Sequence, residues 1–206
     1  MLTLFYAPGT CSLAAHIVLE EIGAPYEARR LDFSAQQQTS PDFLSLNPKG
    51  RVPALSTDRG IITETPAILA FLAQAFPASG LAPLDDPFAF ARLQAFNSYL
   101  CSTVHVAHAH GRRGSRWTDD GAAIETMKQK VPQTMAACFD FIETTMLAGP
   151  WVMGQDYTVA DAYLYTMAGW LEADGVDPAR FPGVLDHRTR MAERPAVKAV
   201  LAVLKG

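Results

Sequence analysis

The spacing of apolar positions changes between the two halves of the chain. Residues 2–6, LTLFY, make a short apolar and aromatic run that Pro8 and Gly9 close, which predicts a strand and then a turn. From Cys11 the period becomes helical, through Leu13, His16/Ile17 and Leu19/Glu20, and Gly23 marks the stop. Pro25 leads into YEARRL, a second strand, and a β-α-β unit of this size predicts a parallel pair. The polar stretch QQQTSPDF and the turn-rich NPKG at 47–50 follow. Next, VPAL(ST) and GIIT flank Asp58-Arg59-Gly60 and read as a hairpin. Glu64-Thr65-Pro66 opens the helix AILAFLAQAF, with Thr65 expected as N-cap and Pro66 in the first helical position.

Beyond residues 77–87, PASGLAPLDDP, the strand signals stop. Its three prolines and one glycine make this stretch the linker candidate. Phe90, Leu93, Phe96/Asn97, Leu100 and Val104 then recur at helical spacing, as do Ile124, Met127, Val131, Met135, Cys138/Phe139 and Ile142. Pro132 predicts a kink or a break in the second run. A further helix starts at Thr158, where T-V-A-D is capping-box-like with Asp161 at N3, and two shorter helical segments lie near 179–192 and 195–204. The expectation is an α/β domain over 1–77, a linker over 78–87 and an all-α helical domain over 88–206.

Composition narrows the functional classes. Hydrophobic residues make up 49% of the 206 and charged ones 18%, which excludes a disordered chain. A formal net charge of −4 supplies no electrostatic reason for nucleic acid or an anionic membrane as partner. The apolar opening lacks a basic n-region and is broken by Pro8-Gly9, so neither a signal peptide nor a membrane span is expected. Cys11, Cys101 and Cys138 form no disulfide framework; they suit a reducing, cytoplasmic setting and at least one free thiol.

Cys11 falls where a strand hands over to a helix, beside unpaired backbone N–H groups. That place favours an anion, whether its own thiolate or a bound one, and makes burial of the thiol less expected. A dithiol redox pair needs a second cysteine three residues on, and that position is Ala14. What remains is a monothiol, or a site that activates another molecule's thiol.

The segments YAPGTCSLAAHIVLEEIGAPYE, NPKGRVPAL, ITETPAILAFLAQ and YTVADAY together resemble a glutathione transferase over essentially the whole chain, nearest the bacterial beta class. The resemblance implies a thioredoxin-like N-terminal domain and an all-α helical C-terminal domain, usually as a homodimer. Glutathione would be the co-substrate, with no other cofactor and no metal, and the second substrate a small hydrophobic electrophile. It further implies a cis Val52-Pro53 bond whose neighbouring backbone pairs with the cysteinyl unit of glutathione. Glu64 would receive the γ-glutamyl ammonium, and Thr65 with its helix N-terminus the γ-glutamyl carboxylate. Lys49 and Arg51 would reach the glycyl carboxylate. The candidates for contact with the sulfur are Cys11, then Ser12, then Tyr6, and His105 matches a histidine that reaches across from the helical half. Relatives carry a lysine in the segment matching Phe33–Gln38, where this chain has FSAQQQ, and another at Val106.

Other features read more plainly. Cys101, His105 and His108 have helical metal-ligand spacing, but polar histidines on a helix face are the commoner case. GRRGSRW at 111–117 reads as a solvated loop rather than as a border of the second-substrate pocket that greets an anionic co-substrate. Phe96, Met167 and Trp170 read as core, and Asp161 as a helix cap without a catalytic part. Two alternatives stay open: a glutathione-dependent thiol reductase or dehalogenase with Cys11 as nucleophile, and a non-catalytic interaction module.

Overall fold

The computed structural model describes residues 1–205. Strands β1 (Leu2–Tyr6), β2 (Tyr26–Arg30), β3 (Ala54–Thr57) and β4 (Gly60–Thr63) form one sheet in the order β2-β1-β3-β4. β1 and β2 are parallel, with Leu2 opposite Tyr26, as the β-α-β spacing predicts. β3 runs antiparallel to β1, and β3 and β4 form the expected hairpin with Thr57 opposite Gly60.

Helix α1 (Ser12–Ile22) connects β1 to β2 and ends at Gly23, whose φ of 69° is the left-handed conformation that glycine adopts without strain. Ala14, Ala15, Ile17, Val18 and Leu19 are all fully buried, because α1 lies between the sheet and the helical half of the chain. Helix α2 (Pro41–Leu46) is capped by Ser40, whose hydroxyl accepts from the Phe43 amide at 3.3 Å. Helix α3 spans Thr65–Ala75, so Glu64 and not Thr65 is its N-cap, and Pro66 occupies the second helical position. The expectation was one residue late because Glu64 itself makes the turn, at a φ of 71°.

In the second half, α4 (Pro87–Tyr99) is capped by Asp86 and continues through a π-helical turn, Leu100–Val104, into α5 (His105–Arg112). The wide turn sits directly before His105, a placement seen often at functional positions. Helix α6 spans Gly121–Phe141 and passes through Pro132 without the break that proline allowed for. Pro132 is packed against Gly175, where a Cβ would lie 3.3 Å from its ring, and tertiary packing offsets the ~3 kcal/mol penalty of proline in a helix. The remaining helices are α7 (Val159–Ala168), α8 (Pro182–Ala192) and α9 (Pro195–Lys205).

One hydrophobic core runs through both halves, from Leu4, Ile17 and Leu69 to Phe139, Tyr163 and Phe181. A smaller cluster of Phe5, Ala7, Phe43, Val52 and Ala54 covers the other face of the sheet. Arg194 ties α1 to the C-terminal helices: it bonds the Glu21 carboxylate at 2.5 and 2.9 Å and lies 3.7 Å over the Tyr157 ring. At the start of α7 the Asp161 carboxylate is fully buried and closes a capping box with Thr158. It also accepts from the Val152 amide at 2.7 Å and meets His187 Nε2 at 3.0 Å, so its expected structural part holds. Among the described residues no helix is long and apolar enough to cross a membrane.

Candidate active site

A cavity of about 630 Å³ opens between the β1–α1 turn, the segment from Asn47 to Thr65, and a wall formed by α5, the turn after it and α7. Its floor is set by local bonding. The Asn47 side chain is buried, donates to the Arg51 carbonyl at 2.7 Å and accepts from the Lys49 amide at 3.3 Å. Gly50 takes a φ of 59°, and a Cβ there would stand 2.9 Å from the Gln38 carbonyl, so glycine is required at this crossing. The turn delivers Val52 and Pro53 to the cavity with a cis bond between them. Lys49 Nζ donates to Thr63 Oγ1 at 2.8 Å and stands 3.4 Å from the Glu64 carboxylate. Glu64 and Thr65 follow at the start of α3, so backbone N–H groups without helical partners face the same space.

Cys11 lies at the other helix start. Its side chain is 7% exposed, and Sγ approaches the Val52 carbonyl at 3.6 Å, the geometry of a weak S–H donor. Burial raises its pKa, and a Thr65 hydrogen bond and the field of Arg113 only partly oppose this. The expectation of a poorly buried Cys11 is therefore corrected, and the group is a thiol rather than a thiolate. The turn holds the side chain against the Val52 carbonyl.

The wall brings in His105, which burial, followed by the fields of His108, Arg113, Arg116 and Arg51, pulls down to about 4. It is thus neutral at pH 7. His108 Nδ1 contacts the Asp174 carboxylate oxygens at 2.7 and 2.9 Å, and its ring stacks on Trp170 at 4.1 Å. His110 instead packs against Trp117 at 4.3 Å. These partners divert the histidines from a common centre, and among the described residues no His, Cys, Asp or Glu group is gathered to hold a metal ion.

Of the residues singled out in the sequence, Cys11, Lys49, Arg51, Val52, Pro53, Glu64, Thr65 and His105 line this one cavity. Ser12 and Tyr6 are not among the residues that line it. The Ser12 hydroxyl is fully buried and occupied by the Ala7 backbone at 3.2 Å and Thr10 Oγ1 at 2.7 Å. Tyr6 is buried against His16, with ring centroids 4.9 Å apart.

Several lining residues were not anticipated. Thr10 stands at the cavity edge, and Gln38 presents a buried amide oxygen without a partner. Trp170, read as core, also reaches the cavity, as does Tyr163, and burial with the neighbouring Cys11 and Cys101 thiols raises the Tyr163 phenol. GRRGSRW is exposed at Arg112, Ser115, Arg116 and Trp117, as a solvated loop would be, yet Arg113, Arg116 and Trp117 also line the wall. Buried Gly114 anchors that turn against Ile124, where a Cβ would meet Cγ2 at 3.0 Å.

Comparison with known proteins decides the family. Residues 1–74 match the glutathione S-transferase N-terminal domain, and residues 121–202 the C-terminal domain. The Escherichia coli O157:H7 protein named Glutathione S-transferase GstA is 31% identical over 202 residues, covering 97% of this chain and 96% of its own. The chain belongs to the glutathione S-transferase family. This transferase also superposes on a glutathione transferase homologue from Sulfitobacter, solved with bound glutathione, at a TM-score of 0.95 and 47% identity, covering 98% of each chain. A bacterial beta class glutathione S-transferase from Sphingomonas chungbukensis gives a TM-score of 0.85 at 34% identity, again covering 98% of each chain. The thioredoxin-like domain, the helical domain and the transferase class implied by the sequence motifs all hold.

Proposed function

We propose that this transferase binds glutathione along the floor of the cavity and presents its sulfur, as thiolate, to an electrophile held against the helical wall. Support comes from one arrangement: Cys11, Val52 and the Glu64–Thr65 pair line the same cavity at the starts of α1 and α3. The Sulfitobacter homologue, solved with glutathione, lends further support. The Val52 backbone pairs with the cysteinyl unit of the tripeptide, Glu64 with the γ-glutamyl ammonium and Thr65 with the γ-glutamyl carboxylate. Lys49 and Arg51 serve the glycyl carboxylate, and the unpartnered Gln38 oxygen accepts an N–H of the bound tripeptide.

The sulfur comes to rest by Cys11. Lowering a thiol pKa by ~2 units takes ~3 kcal/mol of differential stabilisation. The α1 N-terminus supplies part of this, and the Cys11 S–H turns from the Val52 carbonyl to the incoming thiolate for the rest. The thiol proton leaves to solvent, a C–S bond forms, and the electrophile's leaving group departs with its electron pair. Glutathione is consumed as a substrate, and no cofactor enters the step. Neutral His105 offers a hydrogen bond at the wall without adding charge.

A buried thiol with a raised pKa is a poor nucleophile, which sets this reading above a Cys11-based reductase. The domain division lies at 78–87. Assembly as a homodimer is part of this reading, and the three free thiols suit the cytoplasm. Calorimetry with glutathione, together with conjugation of 1-chloro-2,4-dinitrobenzene with and without it, tests the reading. Saturable binding is expected, and a folded sample that takes up no glutathione overturns it. Cys11→Ala keeps conjugation at about a tenth of the rate, the loss of one hydrogen bond. Complete loss of turnover, with a Cys11–glutathione disulfide in the mass spectrum of the wild type, favours the reductase instead.

A further inference from the structure

The cavity carries more positive charge than glutathione uses. Its lining holds four cations, Lys49, Arg51, Arg113 and Arg116, against a single carboxylate, Glu64, an excess of three positive charges. Lys49 pairs with Glu64, whereas Arg51, Arg113 and Arg116 pair with no carboxylate among the described residues. Glutathione in its thiolate form carries two carboxylates, one thiolate and one ammonium, a net charge of minus two. One positive charge is left over.

The surplus lies on the wall, away from the floor that holds the tripeptide. Arg113 and Arg116 belong to a turn fixed by backbone bonds, from the Arg116 amide to the Arg113 carbonyl and from the Trp117 amide to the Gly114 carbonyl, each 2.9 Å. The same turn ends in Trp117, 47% exposed, and Trp170 and Val106 line the cavity as well. Aromatic faces beside unpaired guanidinium groups are what a flat, anionic ring needs.

Resting on the transferase reading above, we propose that the preferred second substrate is an aromatic electrophile bearing one carboxylate. Its ring packs on Trp117 and Trp170, and Arg113 and Arg116 take the carboxylate. These cations act on one another across the cavity. Burial, then Arg113 and Arg51, lowers the pKa of Arg116, and the same arginines help to hold His105 neutral. An anion relieves this repulsion, whereas a neutral ring does not.

A matched pair of probes tests this: 4-chloro-3,5-dinitrobenzoate and 4-chloro-3,5-dinitrobenzamide, each rate divided by its uncatalysed rate with glutathione. In both, the C–S bond forms, the C–Cl bond breaks and chloride leaves with the electron pair. The benzoate is expected to show a normalised kcat/KM at least tenfold above the amide. That preference should shrink to below threefold in Arg113→Gln/Arg116→Gln, and in the wild type as salt is raised. The purified glutathione conjugates of the two probes, titrated by calorimetry, give a readout independent of turnover, and the carboxylate conjugate should bind about tenfold more tightly. Equal or weaker binding and turnover of the benzoate form, with the amide still conjugated, overturns the inference and leaves the transferase reading standing. Absence of glutathione binding overturns both.

Discussion

Along the floor of the cavity, from Asn47 to Thr65, the groups that line it are placed by bonds that rarely reach far in sequence. Asn47 holds Lys49 and Arg51, the chain turns at Gly50, and Lys49 reaches Thr63 and Glu64 across the hairpin. The wall is assembled differently. His105 and His108 come from α5, Arg113 to Trp117 from the turn behind it, and Tyr163 from α7, while Trp170 and Asp174 follow that helix. The floor presents backbone and small polar groups in a fixed order. The wall presents side chains whose meeting depends on how helices pack. A scaffold of this kind can keep one substrate site constant while changing the other.

The largest effect is expected from behind the wall. Asp161→Ala leaves the Val152 and Thr158 amides and His187 without their buried acceptor. The loss is expected at about 3–5 kcal/mol in urea unfolding. A loss below about 1 kcal/mol would show that α7 does not depend on this carboxylate.

His105 gives the next effect. Its pKa falls from 6.5 unfolded to about 4 folded, so as pH drops through that window the unfolded chain takes up the proton first. Stability is therefore full above pH 6.5 and declines toward pH 4, by on the order of 3 kcal/mol from this group. His105→Gln should flatten that part of the pH–stability curve, and an unchanged slope would contradict the burial argument.

On the floor, Glu64→Gln removes the charge that the proposed function sets opposite the γ-glutamyl ammonium. Glutathione affinity should fall roughly 10- to 100-fold by calorimetry, the range for a charge-assisted hydrogen bond. The smallest effect belongs to Ser12→Ala. It loosens the β1–α1 turn by about 1 kcal/mol, while kcat/KM for glutathione stays within about threefold, because the hydroxyl serves Ala7 and Thr10. A collapse of kcat/KM with stability intact would mark Ser12 as a sulfur contact.

The floor was largely legible in the sequence. NPKGRVPAL and ITETP carry their geometry in glycine, proline and hydroxyl positions, and local chemistry of that kind survives without knowledge of the rest of the fold. The errors there were ones of degree. Thr65 lies one residue inside the helix, and Cys11 is buried, with its Sγ against the Val52 carbonyl. The wall was legible only in part. Tyr163 and Trp170 follow the same helical period as core residues, and periodicity cannot tell a side chain that faces a cavity from one that faces another helix. Nor could the string GRRGSRW show that Gly114 seats the turn against Ile124 and so fixes two arginines beside His105.

What the sequence determined by itself is the set of local decisions: the strand–turn–helix at residue 11, the tight turn before Val52, the helix starts within a residue of Thr65 and at Thr158, and the helical second half. These follow from backbone preferences and short-range hydrogen bonds, which act over a few residues. Only the tertiary structure decided which thiol is buried, which serine is spent on its own turn, and which cations face one another without a counter-ion. Those are properties of groups distant in the chain brought to within a few ångströms, where desolvation and charge, not sequence pattern, set the chemistry.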